Sequence, residues 1–384
     1  MDPYQTKGPA LDLSAAVYYH DGGFPPPGGS IDLSRIISPL ASAAAALGGY
    51  DEMLKGMHNS EILMAPLRNQ EAVISSRMEG TVSTIDEVLK VEADDEDGGD
   101  GATLQNRNEA IETFLYARAM RAAYLSIQEG YPLTSHLLRN AHRILLSFGR
   151  GASEGPGNFK SEQNYLADRN RKKVLFVPIA PERLADGMDR LFTYISDGTD
   201  PILLRTAIAH LEFEALHPFK DGNGRIGRML ITLMLWKHGA ISAPHFYVSG
   251  YFEENKDQYI DTMRQVSATG DWTDWAVFFL TAVESQAQRN IETGDKIRRL
   301  YDEMRQTIPD ILSSKYNTLA IDFLFQRPVF RNNVFTKRSG MPEATAHRFA
   351  KQLVDAGILE TVEAASGRRA ALYRFERLLA LVRT

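Results

Sequence analysis

The sequence predicts a mainly α-helical protein in which strands are few and short. Apolar residues recur at the three- and four-residue spacing of amphipathic helices, as in Asn106–Gln128 and Pro181–Ser196. In the central part, Val174–Val177 is the short apolar run typical of a strand. The segment 315–384 shows three short helical patterns and then two strand patterns around a Ser-Gly turn. Together these observations predict a helical core with a β-hairpin, followed by a C-terminal winged helix-turn-helix unit.

Composition narrows the classes of function that the chain can serve. Of its 384 residues 43% are hydrophobic, none is cysteine, and the net charge is −6 with a pI near 5.9. The absence of cysteine excludes disulfides and thiol catalysis, and it fits a reducing, cytoplasmic location. An acidic balance argues against a general nucleic-acid binder. We expect no signal peptide, because no basic stretch precedes an apolar run, and no membrane span, because no apolar run is long enough.

One stretch, His217–Arg228, concentrates the residues that carry chemistry. The helix predicted at Leu203–Leu216 must stop at its end, because Pro218 disfavours the helical conformation at the residue before it. Asp221–Gly224 is a turn in which two glycines let the backbone approach a ligand. The next helix, Ile226–Lys237, is apolar on most sides and is predicted to be buried.

A glycine turn that opens a buried helix predicts an anion site, because free N–H groups and the positive end of the helix dipole meet there. Arg225 and Arg228 add two cationic donors on one helical face. Asp221 is a carboxylate suited to hold Mg²⁺ between phosphates. His217, with an ordinary pKa of about 6.5, is a usable general base near neutrality.

Two other interpretations of these residues are weaker. The run Gly222–Gly227 fits a dinucleotide-binding pattern, but a helix ending in His-Pro precedes it where that pattern needs a strand. His210, Glu214 and His217 share a helical face as zinc ligands do, yet no matching ligand set follows. His210 is better explained as a packed core histidine.

The stretch His-Pro-Phe-Lys-Asp-Gly-Asn-Gly-Arg-Ile-Gly-Arg, His217–Arg228, resembles the Fic family signature H-P-F-x-(D/E)-G-N-G-R-x-x-R without departure. The resemblance implies a Fic-type helical core and an enzyme that moves AMP from ATP onto a hydroxyl of a protein. It also implies that His217 takes the proton from the target Ser, Thr or Tyr and that Asp221 binds Mg²⁺. Phe219 would be an apolar anchor that fixes the loop in the core.

The same resemblance assigns the phosphate contacts. It implies that Gly222, Asn223 and Gly224 cradle the α- and β-phosphates of ATP, and that Arg225 and Arg228 hold the outer phosphates. The intact glycines favour transfer of AMP, because a family variant that phosphorylates its target has a bulkier lysine where Gly224 stands.

A second element, Ser75–Gly80, resembles the family's inhibitory motif (S/T)-x-x-x-E-(G/N). Glu79 would then pair with Arg228, which could no longer hold the γ-phosphate, so ATP would bind in an unreactive pose. The alternative is a solvated Glu79 in a helix cap that ends at Gly80. In some relatives this glutamate also supports removal of AMP, and the sequence does not decide whether Glu79 does so.

Residues between Gly155 and Pro181 resemble the Fic flap, a β-hairpin that holds the target backbone as an added strand. On this resemblance Val174, Leu175 and Phe176 border the nucleotide and target site. Tyr259 is predicted to stack near the adenine base, and a tyrosine packed in the core is the equal alternative.

The flap departs from the family in two respects. Relatives often carry Trp where Tyr165 or Leu166 stands, and Asp168–Lys173 is unusually basic. The basic run is either a solvated hairpin tip or a docking site for an acidic target. Both departures concern the identity of the target and leave the chemistry unchanged.

Three regions are predicted, with boundaries at 1–103, 104–300 and 313–384. Met1–Ile31, rich in Pro and Gly, is expected to be an extended surface arm or partly disordered. Val91–Thr103 contains a dense run of acidic residues and glycines, and we expect a solvated, mobile loop there. The resemblance to the Fic family covers roughly Ile31–Arg289.

The C-terminal region is net basic, which suggests a partner of its own. On a winged helix the third helix would present Thr345, Arg348 and Lys351, and the wing Arg368 and Arg369. Such a face binds DNA in some proteins and docks proteins in others. The function predicted for the whole chain is therefore a protein adenylyltransferase restrained by Glu79. The alternatives are a DNA-binding regulator with a nucleotide-sensing core, an enzyme that removes AMP, or another nucleotide transferase; a homodimer is left open.

Overall fold

The computed structural model describes residues 12–97, 108–167 and 173–383. Helices dominate these residues, as predicted. The helices of the first three hundred or so positions are α1 (Leu33–Lys55), α2 (Ser60–Leu63), α3 (Ala65–Met78), α4 (Ile85–Glu96), α5 (Asn108–Gln128), α6 (Ser135–Leu145), α7 (Pro181–Asp197), α8 (Ile202–Leu216), α9 (Asn223–Lys237), α10 (Ser249–Glu254), α11 (Lys256–Thr269) and α12 (Thr273–Leu312).

Helix α9 is the centre of the core. Every residue from Asn223 to Leu235 is buried, which confirms the prediction of a helix that is apolar on nearly all sides. Helices α3, α5, α6 and α8 pack around it. A helix enclosed in this way cannot shift without disturbing several neighbours, so its N-terminus is a rigid place on which to build a site.

Helix α12 links the core to the C-terminal region. It runs for 40 residues, further in both directions than the Ala276–Arg305 helix that the apolar spacing predicts. Its C-terminal part passes the boundary predicted at residue 300 and ends where the predicted C-terminal region begins. Helix α1 packs along it, and the buried Tyr50 donates a hydrogen bond to the His245 carbonyl, which ties α1 to the core.

The predicted β-hairpin is formed by β2 (Leu166–Ala167) and β3 (Val174–Val177), which pair antiparallel. A further strand, β1 (Val17–Tyr18), pairs in parallel with the other edge of β3, so the sheet order is β1-β3-β2. Residues 1–11 of the predicted arm lie outside the described residues. Its remaining part, residues 12–31, is more than a surface arm, because it contributes β1 to the sheet and because His20 and Phe24 are buried. Most of the basic run, residues 168–172, lies outside the described residues.

The C-terminal region folds as a small unit on a three-stranded sheet of order β4-β6-β5. Its elements are α13 (Asn317–Gln326), β4 (Val329–Arg331), α14 (Asn332–Arg338), α15 (Glu343–Asp355), β5 (Glu360–Glu363), β6 (Leu372–Arg374) and α16 (Glu376–Leu379). The three helices and the hairpin fall where the sequence predicts them, while β4 and α16 were not predicted. The assignment as a winged helix stays a prediction.

The acidic stretch after the inhibitory motif is the clearest error of the sequence analysis. In place of a solvated loop from Val91, α4 continues to Glu96, and residues 98–107 lie outside the described residues. Asp94 is only 6% exposed and accepts hydrogen bonds from Arg331 and Arg369 of the C-terminal unit. These ion pairs compensate the burial of the charge, which a local composition argument does not anticipate.

Helix α4 begins at Ile85, with Thr84 as its cap. Thr84 and Glu87 form a capping box, each side chain bonding the backbone of the other. None of the described helices combines the length and the low polarity needed to cross a bilayer.

Candidate active site

The loop between α8 and α9 bends sharply at His217. Helix α8 ends at Leu216, as Pro218 predicts. His217 itself adopts a left-handed conformation with φ 46° and ψ 62°, which the proline does not predict. A left-handed conformation is unfavourable for a residue with a side chain, so the surrounding structure must hold it. Gly222, with φ 80°, is the N-cap of α9, where the left-handed conformation favours glycine.

The hydrogen bonds of His217 determine which of its ring nitrogens is basic. Its Nδ1 lies 3.3 Å from the Glu214 carbonyl oxygen, which only accepts, so Nδ1 carries the proton. Nε2 is left with its lone pair. Burial lowers the pKa of His217 to about 4, and the charge of Lys160 acts in the same direction. The imidazole is therefore in its basic form at neutral pH, as a general base requires.

Two arginines, Arg225 and Arg228, stand on the first turns of α9, and each is only 3% exposed. Nε and Nη1 of Arg225 have no hydrogen-bond partner among the described residues. The nearest acidic atom to its Nη2 is Asp221 Oδ1 at 3.6 Å. Because buried N–H donors rarely go unpaired, this guanidinium is arranged for an anion that binds at the helix N-terminus.

Glu79 lies in that anion site. Its Oε1 accepts a hydrogen bond of 2.8 Å from Arg228 Nη2, while Arg228 also donates to the hydroxyl and the carbonyl of Ser75 at 2.8 Å each. A Cβ atom added to Gly224 would sit 2.2 Å from Glu79 Oε1, so the carboxylate rests on the first turn of α9. Burial alone would raise the pKa of Glu79, but Arg228 outweighs it and the pKa is below its usual range. The pairing predicted from the sequence is present.

Asp221 stands at the mouth of the site with its side chain 45% exposed. Its Oδ1 accepts a hydrogen bond from the Gly222 N–H at 2.6 Å. No cluster of three or more metal-ligating side chains occurs in the described part of the chain. Mg²⁺ commonly uses one or two carboxylates together with the phosphates of a substrate, and Asp221 fits that requirement.

A cavity of about 290 Å³ opens beside these groups. Its walls come from the end of α3, the flap, α8, the start of α9 and α11. They include Glu79, Leu166, Ala167, Leu175, Phe176, Glu214, His217, Gly224, Arg228, Lys256, Tyr259, Ile260 and Met263. Leu175 and Phe176 thus border the cavity as predicted. Val174, also predicted to border the site, is fully buried and does not line the cavity.

Tyr259 is placed mainly as the alternative interpretation predicts. Only 4% exposed, it stacks on Phe252, and its hydroxyl lies 2.8 Å from Nε2 of His210. It contributes to the cavity wall, yet its ring is committed to the aromatic core. His210 is fully buried beside Trp275 and is a packed core histidine, as predicted.

His142 supports the loop and was not found from the sequence. Its Nδ1 accepts a hydrogen bond from the Gly157 N–H, so its Nε2 carries the proton and donates to the Asp221 carbonyl at 2.8 Å. Its ring also stacks on Phe219 with the centroids 3.8 Å apart. Phe219 is fully buried and anchors the loop as predicted. His142 lies 79 positions from Asp221, and no local pattern marks it.

Comparison with known proteins identifies the class. Residues 37–125 match the family model described as Fic/DOC family N-terminal, and residues 132–235 match the model described as Fic/DOC family. The chain therefore carries the Fic/DOC family domains. It is similar in structure to a Fic family protein from Desulfovibrio desulfuricans G20, with a TM-score of 0.55 and 19% identity over 89% of this chain and 95% of that one.

Two curated relatives bear on activity. The chain is 28% identical over 221 residues to the protein named protein adenylyltransferase fic-1 of Caenorhabditis briggsae, covering 50% of this chain and 41% of that protein. It is 29% identical over 126 residues to the uridine 5'-monophosphate transferase of Xanthomonas campestris pv. campestris, covering 30% and 23% respectively. The chain thus matches less than half the length of either relative.

Proposed function

We propose that the chain is a protein adenylyltransferase that moves AMP from ATP to a Ser, Thr or Tyr hydroxyl of a target protein and of itself, and that Glu79 restrains it. One observation carries the proposal. A carboxylate, Glu79, lies on Arg228 at the N-terminus of a buried helix, next to a histidine in its basic form. The carboxylate oxygen occupies the position that we assign to a phosphate oxygen, and the pocket around it suits a nucleoside triphosphate.

The chemistry requires one proton transfer and one displacement at phosphorus. His217 Nε2 takes the proton of the target hydroxyl, whose oxygen bonds to the α-phosphorus. The bond from that phosphorus to the bridging oxygen breaks, and pyrophosphate leaves with the electron pair. Arg225 and Arg228 stabilise the charge that gathers on the phosphate oxygens, while the N–H groups of Gly222–Gly224 orient them.

Mg²⁺ is part of this proposal. Asp221 would hold it through its exposed carboxylate oxygen, and the ion would neutralise charge on the phosphates. The structure supports the site through that carboxylate and through the single hydrogen bond that keeps it at the mouth.

Restraint by Glu79 follows from competition for Arg228. The γ-phosphate of ATP needs the Arg228 guanidinium nitrogen that now donates a hydrogen bond to Glu79. The phosphate and the Glu79 carboxylate cannot both lie within about 3 Å of that nitrogen without strong repulsion. Glu79→Gly should therefore raise AMP transfer by roughly 10- to 100-fold, the range expected for losing a charged hydrogen bond worth about 1.5–3 kcal/mol. Incorporation of labelled AMP into the protein itself measures this.

The matched control is Glu253→Gly. Glu253 pairs with Arg77 on the same inhibitory helix but does not contact Arg228. The Glu253→Gly substitution should leave AMP transfer near the wild-type rate. Equal rates for wild type and Glu79→Gly would dismiss the inhibitory role, and no labelling by either would dismiss the transferase.

The flap limits where the backbone of a target protein can pair with the sheet as an additional strand. Strand β3 already has β2 on one edge and β1 on the other. Among the described strands of this sheet, the outer edge of β2, Leu166–Ala167, is therefore the edge beside the cavity at which a target strand would pair.

Transfer of another nucleotide is a second candidate, and the relative named uridine 5'-monophosphate transferase favours its inclusion. The two candidates, AMP transfer and transfer of another nucleotide, are separated by a competition experiment. Each unlabelled nucleoside triphosphate competes with labelled ATP in the Glu79→Gly protein. Removal of AMP, with Glu79 positioning a water, would appear as loss of label from a purified adduct on adding wild-type protein.

The DNA-binding alternative rests on the C-terminal unit. Arg348 and Lys351 are exposed on α15, as predicted. Arg369 of the predicted wing is instead paired with Asp94, which weakens the case for nucleic acid. A gel shift with duplex DNA tests it.

A further inference from the structure

A short segment, Lys160–Asn164, covers the backbone on both sides of the proposed base. Four consecutive carbonyl oxygens of the loop accept hydrogen bonds from it. They are Leu216 O from Lys160 Nζ at 3.0 Å, His217 O from Asn164 Nδ2 at 3.2 Å, Pro218 O from the Lys160 N–H at 2.8 Å, and Phe219 O from Asn164 Nδ2 at 3.1 Å. Two side chains and one backbone N–H thus reach all four carbonyls, and Phe219 O accepts a further hydrogen bond from Asn223 Nδ2 at 2.8 Å.

The turn needs this support for two reasons. The last carbonyls of α8 lose their helical partners where the helix stops, and burial makes an unpaired carbonyl costly. His217 also has a left-handed backbone that a residue with a side chain avoids. Without the four hydrogen bonds, the peptide groups around His217 would be free to relax towards ordinary conformations, and the imidazole would move with them.

Lys160 and Asn164 also fix each other. Lys160 Nζ donates to Asn164 Oδ1 at 2.8 Å, which sets the amide so that its nitrogen faces the loop. Lys160 is only 8% exposed, and both acceptors of its Nζ are neutral oxygens. A lysine buried on neutral partners is unusual for a purely structural role, because an apolar residue would fill the space at a lower desolvation cost.

We propose that Lys160 and Asn164 are positioning residues that hold His217 in the strained conformation from which its Nε2 reaches the target hydroxyl. This rests on the proposed function, since it assumes that His217 is the base. It goes beyond the signature, because neither residue belongs to His217–Arg228. Lys160 also acts electrostatically: burial lowers its own pKa to about 7, and in its charged form it lowers the pKa of His217, which the charge of Glu79 raises.

The test uses the full-length Glu79→Gly protein, in which restraint is removed, with Asn164→Asp and Lys160→Met added singly. Asn164→Asp keeps the shape and the acceptor for Lys160 but loses both donations to the loop. Each variant should lower kcat for AMP transfer at least tenfold while the KM for ATP stays within twofold, because the phosphate contacts are untouched. Lys160→Arg, which keeps a buried cation and its donors, should recover part of the loss.

Lys220→Met is the matched control. Lys220 lies three residues from His217, but it is exposed and pairs with Glu154, so its loss should leave kcat unchanged. Thermal denaturation shows whether each variant is folded. The proposal is overturned if the folded Asn164→Asp and Lys160→Met proteins keep the kcat of their parent, whether or not the KM for ATP rises.

A second readout separates this proposal from the proposed function. If Glu79→Gly itself transfers no AMP, the function fails, and the imidazole signals of His217 by NMR still report its position. Lys160→Met should raise the pKa of His217 from about 4, and Asn164→Asp should shift its ring resonances. Unchanged signals in both variants would overturn the positioning role whatever the activity.

Discussion

Two regions of the molecule pair arginine with carboxylate, but the pairs serve different purposes. In the cavity, Arg228 meets one carboxylate, Glu79, whose side chain is 35% exposed at a surface that a ligand can reach. Between α4 and the C-terminal unit, Arg331 is fully buried and meets two, Asp94 and Glu363. A single pair beside a cavity can be exchanged for a phosphate, whereas an enclosed network has no competing ligand and serves the fold.

The network around α4 is broad. Glu96 accepts from Arg327 and Arg338, Lys90 pairs with Glu363, and Asp86 near the start of the helix pairs with Arg383. Among the described residues, these ion-pair partners of Glu96, Lys90 and Asp86 all belong to the C-terminal unit. The C-terminal unit is therefore attached to the helix that follows the turn containing Glu79.

The comparison predicts that cavity residues affect activity and network residues affect stability. The largest effect should come from His217→Ala in the Glu79→Gly protein, which should reduce AMP transfer on the order of 10²- to 10⁴-fold, the usual contribution of a general base. The free energy of unfolding should change by less than about 1 kcal/mol, because the imidazole makes one hydrogen bond to protein. Transfer and urea denaturation measured on one preparation check both.

The pH profile of the released enzyme gives an independent check on the same residue. The pKa of His217 is lowered to about 4 with Glu79 present, and loss of that carboxylate lowers it further, so the imidazole stays in the basic form as the pH falls from 8 to about 4. kcat/KM, which reports the free enzyme, should have no acid limb near pH 6.5. An acid limb at the ordinary histidine value would contradict the burial of the imidazole.

The loop could be predicted from the sequence because its determinants are local. Pro218 forces the bend at His217, the glycines permit the turn at Gly222, and the apolar run fixes α9, all within a few residues of one another. The pairing of Glu79 with Arg228 spans 149 positions, and it was found only through a motif.

The α4 network could not be predicted because its partners are distant. Asp94 lies 237 positions from Arg331, and within its own neighbourhood it looks like one acid in a solvated run. The same limit applies to β1, since nothing near Val17 indicates a strand paired with Phe176. Lys160 and Asn164 were missed for a related reason, because the backbone that they support lies 53–58 positions away.

The next effect in size concerns stability alone. Asp94→Ala should lower the free energy of unfolding by on the order of 3 kcal/mol, because it removes one carboxylate from a fully buried guanidinium. AMP transfer at a temperature where the variant is folded should stay within about twofold of the parent. Arg377→Ala is the control, since its pair with Glu303 anchors the same unit at an exposed site and should cost less than about 1 kcal/mol.

A loss of AMP transfer in the folded Asp94→Ala protein would contradict the assignment of activity to the cavity residues and stability to the network residues. It would mean that the C-terminal unit acts on the inhibitory turn through α4, and that the network is part of the restraint. Equal destabilisation by Asp94→Ala and Arg377→Ala would instead contradict the burial argument.

The smallest effect expected is at the mouth of the cavity. Asp221→Ala in the Glu79→Gly protein should raise the Mg²⁺ concentration needed for half-maximal transfer by about tenfold, the low end of what loss of a metal contact costs. The fold should be unaffected, because the side chain is half exposed and its one hydrogen bond is to the adjacent Gly222 N–H. Asp221→Asn keeps that acceptor and removes only the charge, so it tells metal binding from loop support. If Asp221→Asn matches the parent while Asp221→Ala fails, Asp221 supports the loop, and the cavity would then share the structural use of carboxylates seen around α4.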